Sequence, residues 1–502
     1  MSRDHAIAPP LDDTTHSATI LAPPATRHRV ARLTAIQLAV VGAGVLLVRL
    51  ALDLGESSST IGAAGRTASV GVAGSGDLLA KVLITVLVVV AVARGTGALA
   101  LRIGQPRVVG EIVGGFLLGP TVLGALAPEL AAWLIPADAL PALDAFAQLG
   151  LILFIFLVGL ELDTSLVRRQ GHQAAVLSNV GMVVPFTFGV GIALVLHPTF
   201  GEGVAFAPFA LFLGASMAIT AFPVLAAILT ERGLARKALG SLALTCAAVD
   251  DVTAWFLLAV VVALVRATSP ADAAVSAALA VTFALVMIVA VRPLLQRVVS
   301  RFMPDERVTP GAMALVVVGL LASAWTTETI GIHAVFGAFL FGAVLPLRLP
   351  VADALHSRIG TLTSVLLLPA FFAVTGLRTD LWAVAGDPRA AWGAFALIML
   401  AAVGGKLGAV SVTARMLGMS WRNSTALGVL MNTRGLTELV ILGIGLQLGA
   451  IPQDLYGLLV VMALVTTAAT TPLLALILPS TRSARRFARY QMPPRAIVPP
   501  DI

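Results

Sequence analysis

The sequence has little charge and almost no cysteine. Of its 502 residues, 12% are charged and 58% are hydrophobic, whereas a soluble domain has about 25% charged residues. A soluble chain of this size would divide into several domains with charged surfaces, and this composition has too few charges for them. Cys246 is the only cysteine, which excludes a disulfide scaffold within the chain. The composition therefore predicts a polytopic membrane protein.

Lysine is also scarce, and the motifs of common enzymes are missing. The three lysines are Lys81, Lys237 and Lys406, and arginine supplies the other basic residues behind a net charge of +7. These residues occur in short clusters between apolar runs, which argues against a nucleic-acid partner. The sequence has no HExxH or GxSxG motif, so an intramembrane enzyme is disfavoured. The arginine bias, with abundant alanine and glycine, favours a bacterial source.

Apolar runs supply about fourteen segments of roughly 20 residues, each long enough to cross a bilayer as a helix. They lie near 33–52, 78–101, 107–127, 142–163, 173–197, 204–230, 238–265, 272–292, 308–328, 330–347, 359–378, 390–414, 423–447 and 454–479. With these spans, 24 Lys and Arg residues fall on one side of the membrane and five on the other. Because basic loops stay in the cytoplasm, we expect a cell-membrane protein with both termini cytoplasmic.

The segments divide the chain into four regions. Residues 1–32 are expected to form a disordered cytoplasmic N-terminus, and 33–52 an extra transmembrane helix that is not a cleaved signal peptide. Residues 78–479 form the main transmembrane domain. Residues 480–502 form a short basic tail, expected to lie near anionic lipid.

Two pairs of similar segments indicate an internal repeat. GGFLLG (114–119) resembles GAFLFG (337–342), and FIFLVGLELD (154–163) resembles FFAVTGLRTD (371–380). The offsets are nearly equal and correspond to an odd number of helices, so the second copy would be inverted in the membrane, as in secondary transporters. The predicted units are a first repeat, a linker helix and a second repeat, at about 78–265, 272–292 and 308–479.

Two adjacent carboxylates, Asp250 and Asp251, lie in the middle of a predicted span, CAAVDDVTAWFLL. A charge in this position costs several kcal/mol, and two neighbouring carboxylates do not both ionise cheaply without a cation. The pair therefore predicts a site for cations or protons.

Further charged residues fall inside other spans. Lys406 requires a carboxylate partner, for which Asp250 and Asp251 are both candidates, and GGK (404–406) lacks the flanking residues of a phosphate-binding loop. Arg434 and Glu438 are four residues apart on one helix face, as a structural pair or as part of the site. Together these five side chains carry a net charge of −1, which one monovalent cation or one proton would neutralise.

A proline interrupts the predicted span at 204–230. Pro223 removes a helical hydrogen bond and clashes with the preceding turn, so the helix is expected to break near Thr220 to Phe222. The repeat offset places a corresponding break near Asn432, Thr433, Arg434 and Gly435. Broken helices expose carbonyl groups and helix ends that coordinate small cations.

Several of these segments resemble one known family. The motifs are GEIVGGFLLGP (110–120), FLVGLELD (156–163), ITAFPVLAAIL (219–229), AAVDDVTAWFLLA (247–259), GIHAVFGAFLFG (331–342) and MNTRGLTELVIL (431–442). They are similar to the monovalent cation:proton antiporter-2 family, in the branch of the plant cation/H⁺ exchangers. The resemblance implies an inverted-repeat Na⁺/H⁺ antiporter fold with two crossing broken helices, and a homodimer.

The resemblance also implies roles for individual residues. Asp251 would bind the cation and the proton, Asp250 would pair with Lys406, and Thr220 with neighbouring carbonyls would line the broken helix. The plant relatives often carry Asn-Asp where this chain has Asp250-Asp251, and the helix at 33–52 is an addition to the family plan.

The expected function is exchange of Na⁺ or K⁺ for H⁺ by alternating access, with no catalytic residues, resident metal or cofactor. The partners are monovalent cations, protons and the lipid bilayer. The alternatives are a sodium-coupled organic-solute carrier of the same fold and an ion channel. A solute carrier would need more uncommitted polar residues than the sequence offers, and a channel would lack proton coupling.

Overall fold

The computed structural model describes residues 75–160, 164–235, 237–267, 269–302, 309–345, 349–379 and 388–478, in which every regular element is a helix. The expected tails at 1–32 and 480–502 and the expected extra helix at 33–52 lie outside these residues. We number the described α-helices α1 to α19 in chain order.

The helices fall into two halves with a connection between them. The first half comprises α1 (Ser75–Arg102), α2 (Arg107–Leu118), α3 (Pro128–Leu134), α4 (Leu140–Leu160), α5 (Thr164–Phe200), α6 (Phe206–Ala218), α7 (Phe222–Glu231) and α8 (Ala238–Arg266). The connection consists of α9 (Pro270–Val286) and α10 (Arg292–Phe302). The second half comprises α11 (Pro310–Ile330), α12 (Ala334–Val344), α13 (Leu349–Leu362), α14 (Leu368–Leu377), α15 (Pro388–Val403), α16 (Ala409–Met416), α17 (Trp421–Met431), α18 (Leu436–Gln447) and α19 (Gln453–Ile477).

Four of the connections between successive described helices contain a π-helical turn of five residues. The turns are Pro120–Gly124, Met287–Val291, Thr363–Leu367 and Gly404–Gly408. Such π turns are rare and occur often at functional sites. The last of them carries Lys406.

Within the described ranges, 11 helices are long and apolar enough to cross a membrane, or 12 if a bent pair counts as one span. The expected span at 330–347 is shorter than its sequence suggests, because its helix is only the 11 residues of α12. Gly331 ends α11 in a left-handed conformation with φ of 92°, which glycine adopts without strain. His333 then caps the N-terminus of α12, and its imidazole accepts a hydrogen bond from the Val335 N–H.

The segments that revealed the repeat pack against each other across the two halves. A Cβ at Gly376 on α14 would lie 2.5 Å from the backbone of Gly115 on α2. A Cβ at Gly342 on α12 would lie 2.2 Å from the Phe156 carbonyl oxygen on α4. Both contacts therefore need a residue without a side chain. Each half thus contributes one glycine-rich helix that lies directly on a helix of the other half.

Burial differs strongly between the described spans. Only 17% of the most apolar stretch of α1 and 11% of that in the Ala274–Arg297 segment is buried, against 72% in the Phe206–Thr230 segment. Large apolar side chains such as Leu83 and Val289 therefore face outwards, as they do towards lipid. The broken segment of α6 and α7 has the highest buried share among the described spans.

Candidate functional site

The first interrupted helix runs from α6 into α7. Helix α6 ends at Ala218, and α7 begins at Phe222 with Pro223 in its first turn. Ile219 and Ala221 between them have extended backbone angles. Pro223 has no N–H to continue the hydrogen bonds of α6, which explains why the chain breaks where the sequence predicts.

The second interrupted helix runs from α17 into α18 and bends by 42° at the break. Helix α17 ends at Met431, and α18 begins at Leu436. The two breaks touch: the Ala221 N–H donates to the Thr433 carbonyl at 3.1 Å. Thr220 Oγ1 lies 2.8 Å from the Met431 carbonyl oxygen and shares its one proton between that carbonyl and the Asp250 carboxylate. The two broken helices therefore cross with their unwound segments in direct contact.

Gly435 permits this close crossing. A Cβ at this position would lie 2.6 Å from Val224 Cγ2 and 3.2 Å from the Ala221 Cβ. Both neighbours belong to the first broken helix, so any side chain at 435 would push the two breaks apart. Space rather than backbone conformation thus requires glycine here.

Asp250, on α8, is fully buried and has three hydrogen-bond donors. Its Oδ2 accepts from Thr220 Oγ1 at 2.7 Å and from Lys406 Nζ at 3.0 Å. Its Oδ1 accepts from the Ser178 hydroxyl of α5. Both carboxylate oxygens of Asp250 are therefore occupied by hydrogen-bond donors.

Lys406 is also fully buried. Besides the ion pair with Asp250, its ammonium donates to the carbonyl of Ala218, the last residue of α6. The π turn brings Gly405 against α5, where a Cβ would lie 3.1 Å from the Pro185 Cα. The lysine therefore places a positive charge at the C-terminal end of α6, where the helix dipole is negative.

Asp251 has a different environment from its neighbour. It is 2% exposed, and its Oδ1 lies 3.5 Å from Thr437 Oγ1 in the first turn of α18. The Phe222 backbone, in the first turn of α7, also lies beside this carboxylate. Its Oδ2 is buried and has no hydrogen-bond partner among the described residues. Two helix N-termini therefore face a carboxylate that retains a free oxygen.

Arg434 and Glu438 form a buried ion pair with an Nη1–Oε1 distance of 3.0 Å. The guanidinium also donates to the carbonyls of Ser216 and Met217 in the last turn of α6. The pair thus connects α18 and the second break to the end of the first broken helix. It is more than an i, i+4 contact on one helix.

The structure gathers most of the residues singled out from the sequence. Asp250, Asp251, Thr220 and Lys406 meet at the crossing, with Phe222 and Pro223 at the start of α7 and Asn432 and Thr433 in the second break. The Asn432 Oδ1 atom is buried and has no partner within the described part of the chain.

Sequence reasoning missed four hydroxyl groups at this site. Ser178 contacts Asp250, and Thr437 contacts Asp251. Thr467 of α19 bonds both the N–H and the carbonyl of Arg434, and the hydroxyls of Thr470 and Thr433 are 3.3 Å apart. The cluster TTAATT (466–471) in an otherwise apolar span is a usable signal for the threonines of α19.

A cavity of about 390 Å³ borders the first turns of α7 and α18. Pro223 and Leu436, from the first turns of α7 and α18, form part of its wall, with Phe154, Phe372 and Arg107. The wall residues Pro223 and Leu436 directly follow Phe222 and Gly435 of the breaks. The cavity therefore approaches the side of the site at which Asp251 lies. Within the ranges that the structure covers, no cluster of three or more His, Cys, Asp or Glu residues is arranged to hold a metal ion.

The chain is similar to known proteins in sequence and in fold. Residues 66–478 match the transmembrane domain of the sodium/hydrogen exchanger family. The chain is 39% identical over 406 residues to the Na⁺/H⁺ antiporter NhaS4 of Synechocystis sp., covering 80% of this chain and 98% of that protein. It therefore belongs to the sodium/hydrogen exchanger family, and the resemblance to the plant cation/H⁺ exchangers is confirmed.

Longer relatives match over a part of their length. The chain is 38% identical over 414 residues to cation/H⁺ antiporter 19 of Arabidopsis thaliana, covering 82% of this chain and 51% of that protein. It is 34% identical over 387 residues to K⁺/H⁺ antiporter 1 of Saccharomyces cerevisiae, covering 75% of this chain and 44% of that protein. The chain thus spans about half the length of these two relatives.

A solved structure shares the architecture. The sodium proton antiporter MjNhaP1 of Methanocaldococcus jannaschii aligns with a TM-score of 0.59 and 14% identity, over 79% of this chain and 96% of that chain. This match and the two crossing breaks confirm the predicted all-α antiporter fold. The predicted bounds of the repeats and of the terminal regions stay predictions.

Proposed function

We propose that this chain exchanges a monovalent cation, Na⁺ or K⁺, for protons by alternating access, with Asp251 as the carboxylate that binds either ion. One observation carries the proposal. Asp251 is a buried carboxylate with an unpartnered oxygen, and it lies where two helix breaks cross. An isolated buried charge is costly unless it is neutralised. A bound cation or a bound proton supplies that neutralisation.

The charges around the crossing support exclusive binding of one ion at a time. Lys406 neutralises Asp250, and Arg434 neutralises Glu438. Asp251 remains as a single uncompensated charge at the crossing. A second positive charge in the same buried space would again be uncompensated and costly. Cation and proton therefore compete, and this competition couples their movements in opposite directions.

The helix breaks provide the remaining requirements for a small cation. The first turns of α7 and α18 lie against the Asp251 carboxylate, through the Phe222 backbone and the Thr437 hydroxyl. The unwound segments carry carbonyl oxygens outside regular helical hydrogen bonding, and Asn432 Oδ1 is a further unpartnered oxygen nearby in the chain. Oxygen ligands from interrupted helices bind Na⁺ and H⁺ in secondary transporters. The names of the relatives, which include Na⁺/H⁺, K⁺/H⁺ and cation/H⁺ antiporters, support the same function.

The proposal also covers the oligomeric state of the chain, its membrane and its orientation in that membrane. We place the chain in a bacterial cell membrane as a homodimer, with both termini in the cytoplasm, because of its basic loops and its resemblance to the exchangers. Fusions of a reporter to either end of the chain test the topology. Activity of the reporter only on the outer side would contradict it.

The decisive experiment replaces Asp251 in the purified protein. Proteoliposomes with an internal pH-sensitive dye and an imposed pH gradient are given Na⁺, K⁺, Li⁺ or Rb⁺ in turn. The native chain should dissipate the gradient on addition of Na⁺ or K⁺, and Asp251→Asn should abolish this response, since an amide binds neither a proton nor a cation in the same way. Asp138→Asn is the matched control, because Asp138 is exposed and pairs only loosely with Lys81 at 3.6 Å.

Two results would contradict the proposal. A cation-dependent proton response in Asp251→Asn would exclude Asp251 as the shared site. Cation flux through the native chain without any proton movement would indicate an uncoupled channel instead.

A further inference from the structure

The carboxylates of Asp250 and Asp251 are adjacent in sequence and both buried, yet only one of them has a free oxygen. On α8, Asp250 accepts hydrogen bonds through both oxygens, whereas Asp251 leaves Oδ2 without a partner among the described residues. Thr220 and Lys406 both bond to Oδ2 of Asp250. The Ser178 hydroxyl is the donor to its Oδ1. Ser178 therefore determines whether Asp250 also has an oxygen available.

Ser178 is held in place by the packing of α5. Its side chain is fully buried, as are Ala174 and Leu177 on the same helix. These two neighbours belong to an apolar cluster with Leu225 of α7 and Ala247 of α8. Ala247 lies just one helical turn before Asp250. The cluster fixes the distance between α5 and α8, and a serine at 178 reaches the carboxylate across that gap.

Serine in a transmembrane helix usually donates to a carbonyl of its own helix. Thr245 of α8 does so, bonding to the Ser241 carbonyl at 2.9 Å. Ser178 instead donates to a charged group on another helix. Bonds to an ionised acceptor are the stronger kind. The contact is therefore a specific feature of the site.

We propose that Ser178 is a positioning residue that reserves the transported cation for Asp251 by occupying the second oxygen of Asp250. This inference rests on the proposed exchange function. Without the hydroxyl, Oδ1 of Asp250 becomes a second buried oxygen without a donor. A proton bound to Oδ1 of Asp250 neutralises the net negative charge of the cluster, just as an ion bound at Asp251 does. The cation then competes with protons at two carboxylates.

The consequence is a change in apparent cation affinity that depends on pH. In Ser178→Ala, the KM for the transported cation at pH 7 should rise about tenfold, because one hydrogen bond to a charged group is lost. The maximal rate should change little, since Asp251 and the crossing are intact. The difference in KM should shrink as the pH is raised, because fewer protons compete. A purely structural role would lower the amount of folded protein or the maximal rate without this pH dependence.

The controls separate the hydroxyl from the shape of the side chain. Ser178→Thr keeps the hydroxyl and Ser178→Val removes it at nearly the same volume, so only the valine variant should reproduce the high KM. Ser424→Ala is the matched control on another helix. Ser424 is fully buried on α17, and its hydroxyl has no hydrogen-bond partner within the described residues. Its KM should equal that of the native chain.

The measurement is initial cation-dependent proton movement in proteoliposomes, as a function of cation concentration at several pH values. Equal KM values for Ser178→Ala and Ser424→Ala at all pH values would overturn the inference. If Ser178→Ala does not fold, the Thr and Val pair decides, and equal KM values in that pair would overturn it too. An inactive native chain would contradict the exchange function itself, whereas an active native chain with unaffected Ser178 variants would contradict only the role of Ser178.

Discussion

The two broken helices cross at one point, but their interrupted ends are held by different chemistry. At the first break, the carbonyls that end α6 accept hydrogen bonds from two cationic side chains, Lys406 and Arg434. At the second break, the backbone on either side is bonded by neutral hydroxyls. Thr220 donates to the Met431 carbonyl, and Thr467 bonds both the N–H and the carbonyl of Arg434.

This difference separates two tasks within one site. The C-terminal end of α6 carries a partial negative charge, and the two cations that cover it also neutralise Asp250 and Glu438. The first break therefore sets the charge of the site. The hydroxyls of the second break bring no net charge but fix the backbone next to Asp251. The second break therefore sets its geometry.

The largest expected effect comes from removing a cation at the first break. Arg434→Ala leaves the Glu438 carboxylate buried without its partner, and leaves the carbonyls of Ser216 and Met217 without their donor. Breaking a buried ion pair in this way costs about 3–5 kcal/mol. Thermal unfolding in detergent should show a large loss of stability. Arg266→Ala is the control, since the Arg266–Glu328 pair has exposed side chains and should contribute at most about 1 kcal/mol.

A double variant sharpens this prediction. Glu438→Gln in the Arg434→Ala background removes the uncompensated charge and should recover part of the lost stability. Equal stability of Arg434→Ala and Arg266→Ala would show that the end of α6 does not depend on charge.

The contrast between the breaks also explains how much of the site could be predicted from the sequence. Pro223 marks the first break directly, and the repeat offset carries that break to Asn432 and Thr433. The charged residues Asp250 and Lys406 are conspicuous in apolar spans. Because these features are local, the amino-acid sequence alone predicts the general course of the broken helices and the charged residues of the site.

The features that the sequence does not predict depend on contacts between distant helices. Ser178 contacts Asp250 over 72 positions of sequence, and most serines in such helices bond to their own backbone. The π turn at Lys406 has no clear signal beyond its three glycines. The shortness of α12 follows from the backbone of Gly331 and His333, in a stretch whose apolar composition suggests a full span.

An intermediate effect is expected where the two breaks touch. Gly435→Ala introduces a Cβ 2.6 Å from Val224 Cγ2, so the crossing must widen. Such overpacking typically costs about 1–3 kcal/mol, and the displaced Thr437 and Leu436 should lower the rate of exchange. Gly443→Ala on the same helix is the matched control, because a Cβ there meets no atom within 4 Å. Equal stability and exchange rates in the two variants would show that the crossing is not tightly packed.

The smallest expected effect tests whether the neutral hydroxyls alone hold the second break. Thr467→Val keeps the shape of the side chain and removes both hydrogen bonds to the Arg434 backbone, which are 3.0 Å and 2.7 Å long. Neutral hydrogen bonds contribute about 0.5–1.5 kcal/mol each, and the Arg434 side chain with its ion pair stays in place.

Thr466→Val is the control one position earlier, because the Thr466 hydroxyl bonds only to the Met462 and Ala463 carbonyls of its own helix. Thermal unfolding should therefore show a loss of about 1–3 kcal/mol for Thr467→Val and a smaller one for Thr466→Val. The exchange rate should also fall more in Thr467→Val than in its control, because the freed backbone of Arg434 lies in the same turn as Thr437 beside Asp251. If both variants behave alike, the charged contacts of Arg434 are sufficient to fix the second break, and the division between a charged break and a neutral one fails.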